Sequence, residues 1–286
     1  MRLIKMTGGL GNQMFIYVLY LRMKSRFPDT RIDLSDMQHY HVHYGYEMNK
    51  VFGLPRTAEV CMPQWVKKAL EILCFRVILE RHERGSLRHY DGAIRWPWVY
   101  YKGFYQNLIY FAGHEEEIRR TFTFDMSKVS ERNRTLAAEM DKDTGSVALH
   151  IRRGDYLQAA HYKKVGCVCQ LPYYQRAIAE MRRRVTNPRV FIFSEDEQWV
   201  RENLPMEDAV FVNWNRGEDS WQDMMLMSHC HHNIICNSTF SWWAAWLNGH
   251  DGKLVFCPDR WYADDSGGVN LCPEEWVRIS TRDGLT

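Results

Sequence analysis

An α/β fold with a Rossmann-like lobe in its second half is what this sequence predicts, and three features carry the expectation. A short apolar run near the N-terminus is cut by glycines and followed at once by a helical pattern. From Ser146 to Cys257, short β-branched and aromatic runs alternate with helical stretches. The chemistry-bearing residues stand at the ends of those runs, where an open parallel sheet gathers its ligands. At 286 residues the chain has room for one large or two ordinary domains. The polar stretch Asp141–Gly145 suits a boundary turn, dividing the chain into lobes 1–145 and 146–286.

Arg2–Met6 reads as the first strand, Gly8, Gly9 and Gly11 as a tight turn, and the run opened by Asn12 as a helix. Ile32–Leu34 is a second strand, followed by Tyr40, His41, His43, Tyr44 and Tyr46, which suit either a sugar site or a wet loop. Gln64–Glu80 has the pattern of a helix, continued by a basic patch of Arg81, Arg84 and Arg88 that suits a solvated helix end or a membrane surface. Trp96, Trp98, Tyr100, Tyr101, Phe104 and Tyr105 form an aromatic segment able to pack a core or wall a ligand. Helices at Gly113–Thr121 and Asn133–Met140 precede the boundary. Beyond it come strand Ser146–Ile151, helix Pro172–Arg184, strand Arg189–Phe193, strand Ala209–Val212, helix Ser220–Ser228, strand Asn233–Cys236, helix Phe240–Asn248 and strand Lys253–Cys257.

Lys and Arg number 37 against 35 Asp and Glu, a net charge of +2. No global field then selects nucleic acid, and any anion site must be local. The eight cysteines are scattered through a chain large enough to need no staples, so reduced thiols are expected. Cys167, Cys169 and Cys230 with His229, His231 and His232 lack the paired spacing of a structural zinc site, and no metal site is expected. MRLIKMTGG is too short an apolar start for a signal peptide or anchor, which favours a cytoplasmic protein.

Four segments carry chemistry. In GGLGNQ the glycines let backbone N–H groups approach a phosphate, and the following helix directs its positive end there, yet neither a dinucleotide fingerprint nor a Walker lysine is present. In HIRRGDY, Arg152 and Arg153 leave a buried strand on opposite sides. A guanidinium clamps pyrophosphate bidentately, and Arg152 is favoured because it shares the face of His150; Arg153 would hold the fold, and Asp155 would hold one arginine or shape the loop. Ser238, Thr239 and Ser241, preceded by Asn237, stand where a strand becomes a helix and suit either capping or phosphate binding, while Trp242, Trp243 and Trp246 suit packing. Glu195 and Asp196 follow another strand and could accept from a purine edge, with Asp196 placed ahead of Asp223.

With GGLGNQMF at 8–15, HIRRGDY at 150–156, FIFSED at 191–196 and NSTFSWWAAWL at 237–247 in this order, the chain resembles the α-1,2-fucosyltransferases of glycosyltransferase family 11 over nearly its whole length. The resemblance implies a GT-B-like fold, two Rossmann-like lobes facing across a cleft, the first mainly presenting acceptor and the second binding donor. It implies GDP-L-fucose as donor substrate, no cofactor and no metal. Arg152 and Asn12 become the catalytic candidates; Gly9, Gly11, Asn12, His150, Arg152, Asp196, Ser238, Thr239 and Phe240 become the donor-binding set. The implied reaction moves L-fucose from GDP-β-L-fucose to the 2-hydroxyl of a terminal β-galactoside with inversion, Arg152 stabilising charge on the departing GDP. A proton acceptor is not evident: His161 and Asp33 are the side-chain options, beside water or a phosphate-assisted route. A cytoplasmic enzyme acting on a surface-glycan precursor, peripheral to the inner membrane face if the acceptor is lipid-linked, follows as an expectation. The alternatives are another GDP-sugar transferase and a noncatalytic glycan-binding protein.

Overall fold

The computed structural model describes residues 1–37, 44–56, 59–80, 96–158, 161–263 and 271–282. Tyr40, His41 and His43 of the aromatic stretch, and Arg81, Arg84 and Arg88 of the basic patch, lie outside the described residues. Two compact units are present, Met1–Asp125 with Val269–Leu271, and Met126–Gly268 with Cys272–Thr286.

The first unit contains β1 (Arg2–Lys5), α1 (Leu10–Arg26), β2 (Thr30–Asp33), α2 (Met48–Phe52), β3 (Glu59–Val60), α3 (Gln64–Leu73), β4 (Arg76–Leu79), β5 (Val99–Lys102) and α4 (Glu115–Thr121). Its sheet runs β3-β2-β1-β5-β4 with every pairing parallel. β1 holds the centre because Leu3 and Ile4 are both buried, as befits a strand covered on two faces. α1 is buried over most of its circumference, so its apolar residues show no single stripe.

Two sequence expectations change here. The Gln64–Glu80 helix stops at Leu73, because Phe75 is buried and Val77 and Ile78 pair in parallel with Tyr100 and Tyr101 of β5. The aromatic segment is itself strand β5: Tyr100, Tyr101 and Tyr105 are core, while Trp96, Trp98 and Phe104 reach the surface.

The second unit contains α5 (Glu131–Lys142), β6 (Ser146–Ile151), α6 (Leu171–Arg184), β7 (Arg189–Ser194), α7 (Glu197–Asn203), β8 (Val210–Val212), α8 (Trp221–His229), β9 (His232–Ile234), α9 (Thr239–Leu247), β10 (Val255–Pro258) and β11 (Val277–Ile279). The sheet runs β11-β10-β9-β6-β7-β8, again all parallel. Successive strands build outward from β6 to β8, and the chain then crosses back to lay β9, β10 and β11 on the other side. The order therefore reverses between β6 and β9, which makes their carboxyl ends the topological switch point. Trp242 and Trp243 are fully buried on α9 and Trp246 nearly so, as expected for packing.

The division falls at Asp125/Met126 rather than at 145/146. Helix α5 belongs with the second unit because Asn133, fully buried, donates to Gln222 Oε1 and Asn215 Oδ1, both at 2.7 Å. The Asp141–Gly145 turn joins α5 to β6 within that unit rather than separating the two units.

Candidate active site

β6 is buried along its whole length and pairs His150 with Phe193 and Ile151 with Ser194. That register brings the residues after the two strands side by side. Arg152 forms an ion pair with Glu195, and Arg153 Nε donates to Asp196 Oδ2 at 2.9 Å. The arginines differ in how firmly they are held. Arg153 also lies 3.9 Å over the Trp199 ring, a stacked and paired position that fits a structural role. The Arg152 pair is partly open to water, with side-chain exposures of 27% and 43%, and an exposed pair of this kind is a weak one; the guanidinium also lies 5.9 Å from the Tyr156 ring centroid.

Asp196, expected at the base, has partners within its own unit. Its Oδ1 accepts the Trp199 N–H at 3.1 Å, capping α7, while Oδ2 accepts from Arg153. The Arg153 hydrogen bond holds its carboxyl below the usual range. Both oxygens are thus engaged within the protein. The Asp155 side chain lies outside what is described.

His150 is buried, its Nδ1 3.3 Å from Cys236 Sγ and its ring centroid 6.0 Å from that of Phe240. Burial first, and the Arg152 charge second, push its pKa down to about 3, so the imidazole is neutral at physiological pH. Burial pushes the Cys236 thiol up to about 11. A neutral thiol and a neutral imidazole therefore join the ends of β6 and β9 beneath the arginine loop.

The β9 exit is tied down as tightly. Asn237 Nδ2 donates to Val165 O at 2.9 Å and Trp261 O at 3.0 Å, and the Tyr156 hydroxyl donates to Asn237 O at 2.9 Å. The arginine loop and the Asn237–Phe240 turn are thus held against one another. Ser238 occupies the N-cap position of α9, yet its side chain makes no capping hydrogen bond. Among the readings open for this turn, side-chain capping is therefore absent. The helix presents backbone N–H groups and a positive dipole end beside the Arg152 loop, an arrangement suited to an oxyanion.

A polar network that the sequence did not signal lies at the exit of β8. Trp214 Nε1 donates to Asn133 Oδ1 at 2.8 Å, and Asn215 Nδ2 donates to Asp223 Oδ1 at 2.7 Å. Asp223, in the first turn of α8, has its pKa pushed up to about 7, chiefly by burial and also by the nearby negative charge of Glu195. A desolvated carboxyl within electrostatic reach of the Arg152–Glu195 pair is the group that sequence reasoning ranked second.

In the first unit, Gly8 takes φ +82°, and a Cβ there would come within 2.8 Å of Asn12 Cβ and Nδ2. Gly9 is the extended N-cap of α1, and Gly11 and Asn12 stand in its first turn. Asn12 is half-buried, and its Oδ1 accepts from Gln106 Nε2 at 2.8 Å. Beneath it, fully buried Gln13 donates to Gly8 O at 2.9 Å and Gly45 O at 2.7 Å and accepts the Glu47 N–H at 2.9 Å. Gln13 thus fixes the glycine turn, a function invisible in a sequence where it reads as one more helix residue. Burial raises the Glu47 carboxyl to about 7 although it accepts the Leu10 N–H.

The two side chains weighed as proton acceptors are distinct. Asp33 is buried, accepts at Oδ1 from the Ser35 N–H and hydroxyl and at Oδ2 from the Tyr100 hydroxyl, and has Lys67 Nζ at 3.5 Å; its lone pairs are occupied. His161 is exposed. All eight cysteines are free thiols, and no described helix is long and apolar enough to cross a membrane.

Comparison with known proteins agrees with this arrangement. Residues 66–279 match the model of "Glycosyl transferase family 11", a stretch that contains the arginine loop, the Asp223 helix and the Ser238 turn. An "Alpha-1,2-colitosyltransferase" of Escherichia coli is 30% identical over 96% of this chain and 97% of its own length. A "Galactoside alpha-(1,2)-fucosyltransferase 1" of Ateles belzebuth is 32% identical over 64% of this chain, which spans 53% of that protein. Among solved structures, NodZ alpha-1,6-fucosyltransferase soaked with GDP-fucose superposes with a TM-score of 0.53 at 15% identity, covering 86% of this chain and 92% of that one. At that identity the likeness concerns architecture, and it agrees with the GT-B-like α/β class read from the sequence. With the matched stretch well over half its length, and its arginine loop and helix N-terminus at the switch point of a parallel sheet, the chain belongs to glycosyltransferase family 11.

Proposed function

We propose that the protein is an inverting α-1,2-fucosyltransferase that moves L-fucose from GDP-β-L-fucose to the 2-hydroxyl of a terminal β-galactoside. The observation that carries the reading is the β6/β9 switch point, where the loop carrying Arg152 is tied through Tyr156 to Asn237, just before the α9 N-terminus that no side chain caps. In this reading Arg152 exchanges Glu195 for the donor diphosphate and stabilises the charge that builds on GDP as the glycosidic bond breaks. Backbone N–H groups at Thr239 and Phe240 take phosphate oxygens, with the Ser238 hydroxyl beside them, while the Ser238 N–H itself is spent on Cys236 O at 2.8 Å. The glycine turn at Gly9 and Gly11, with Asn12, is a second anion-binding element on the first unit.

Neutral His150 offers a hydrogen bond to the nucleoside without adding charge. For the guanine edge, Asp223 fits better than Asp196: it accepts one hydrogen bond, at Oδ1 from Asn215, whereas Asp196 is engaged at both oxygens. No resident cofactor or metal enters this scheme, because arginine and helix N-terminus supply the electrostatic stabilisation. Saturation of Asp33 leaves the proton to His161, to water or to the departing phosphate. A glycan precursor carried on lipid is the acceptor we favour, with the enzyme acting from the cytoplasm at the inner membrane face.

A second donor has a specific observation behind it. The Escherichia coli relative that aligns with nearly the whole chain is named for colitose, a sugar that lacks the 3-hydroxyl of fucose. The test is product formation from GDP-fucose and from GDP-colitose with a panel of β-galactosides in EDTA, the new linkage resolved by NMR. An α-1,2-fucosyl product supports the primary reading. Turnover of GDP-colitose alone replaces the donor, and donor binding without transfer to any galactoside overturns the acceptor.

A further inference from the structure

Helix α3 packs on the first unit through Leu70, which meets Leu3, Phe75 and Tyr100, and through two ion-paired side chains. Lys67 is buried and reaches Asp36 at 2.6 Å, and Glu71 is bound by Lys102 at 2.6 Å. Trp65, Ala69, Ile72 and Leu73, at i, i+4, i+7 and i+8, form the opposite face. That face is open: Trp65 and Ile72 are each 76% exposed and Leu73 is 80% exposed. The patch continues past the helix end, where half-exposed Trp96 donates its indole N–H to Cys74 O at 3.2 Å. Apolar residues set outward together at helical spacing mark a surface that something covers.

We infer that this face of α3 docks the protein onto an anionic lipid bilayer. Charge selects that occupant. The exposed charges along α3 and β4 are the cations Lys68 and Arg76. The acids of these elements are turned away, Glu71 to Lys102 and the following Glu80 to the Phe104 and Gln106 N–H groups. A second copy docked face to face would set Lys68 and Arg76 against the same cations, whereas anionic headgroups neutralise them. Ten residues make a helix about 15 Å long, half the hydrocarbon thickness, so α3 lies in the interface plane and does not span it. Trp65 suits that depth, with an apolar ring and one polar N–H. The surface stands on exposure and charge; its use in reaching a lipid-borne acceptor rests on the transferase reading.

The test is flotation of the full chain with phosphatidylcholine vesicles and with vesicles containing about one-third phosphatidylglycerol. Wild type is expected to float with the anionic vesicles, and Trp65→Ser/Ile72→Ser/Leu73→Ser to lose at least about tenfold in partitioning while its thermal unfolding is unchanged. The single variant Leu73→Ser, expected to lose about threefold, keeps the test valid if the triple variant unfolds. No flotation by wild type, equal flotation with zwitterionic vesicles, or undiminished flotation by the folded variants each overturns the proposal. So does a dimer in light scattering that the same substitutions dissociate, which would assign the face to a second copy. Turnover of a soluble galactoside, expected to be equal in wild type and variants, separates failure of docking from failure of the transferase reading.

Discussion

Removing the Arg152 guanidinium is the most direct challenge to the proposed chemistry. Because the Arg152–Glu195 pair is exposed at 27% and 43%, its loss changes stability by about 0–1 kcal/mol, and Arg152→Ala folds. Catalysis responds on another scale. An electrostatic donor aimed at developing negative charge contributes about 3–4 kcal/mol, a 10²- to 10³-fold fall in kcat/KM. Arg152→Lys keeps the charge without the planar fork and falls between, at about tenfold. Glu195→Gln works in the opposite direction: freed of its competitor, Arg152 binds the donor up to about fivefold more tightly, the equivalent of about 1 kcal/mol. Steady-state kinetics with GDP-fucose, titration calorimetry with GDP and thermal unfolding of each variant supply the numbers. A folded Arg152→Ala protein within tenfold of wild type would refute the role, and weaker GDP binding by Glu195→Gln would show that Glu195 contacts the nucleotide instead of restraining the arginine.

Glu47 gives a pH signature: its folded pKa is raised from 4.5 to about 7, so the native state prefers the protonated form. Its stabilising effect is complete below about pH 4.5 and lost as pH rises to 7, about 3 kcal/mol in all, and Glu47→Gln should flatten that part of the urea-midpoint profile; a slope unchanged from wild type argues against it. Gly8→Ala should cost about 1–3 kcal/mol in urea unfolding, since it combines φ +82° with a 2.8 Å approach to Asn12, and a neutral result would mean that the turn relaxes freely. Asp196→Ala should lose about 1–2 kcal/mol through the α7 cap and the Arg153 pair while leaving the donor KM within about threefold, whereas Asp223→Asn should raise that KM; the reverse pattern would return Asp196 to the base pocket.

The second unit was the more legible in sequence. Its central strands are short, largely buried runs bounded by polar turns, and β6 was read to the residue because every side chain of Ser146–Ile151 faces protein. In the first unit, the run from Gln64 hides a change of period. Gln64–Leu73 is helical, but Arg76–Leu79 is an edge strand whose identity depends on β5, which was itself masked by its aromatic content. The arginine loop was found because charge after a buried strand is conspicuous. Gln13, Asn133 and Asn215 were not, since an amide carries no charge or period, and only the assembled fold shows which groups it satisfies. The engagement of Asp196 was hidden for the same reason: its position after a strand is readable, whereas its hydrogen bonds to Arg153 and the Trp199 N–H are not.

The crossover between β8 and β9 also governs how the chain is made. β6, β7 and β8 leave the ribosome in order and can pair at once, but the other edge of β6 waits for β9, with Val147 opposite His232 and Leu149 opposite Ile234. Until α8 and β9 emerge, β6 presents an unpaired apolar edge that ends at Arg152. The topology that places Arg152 at the middle of the sheet thereby delays completion of the second unit until β9 has emerged.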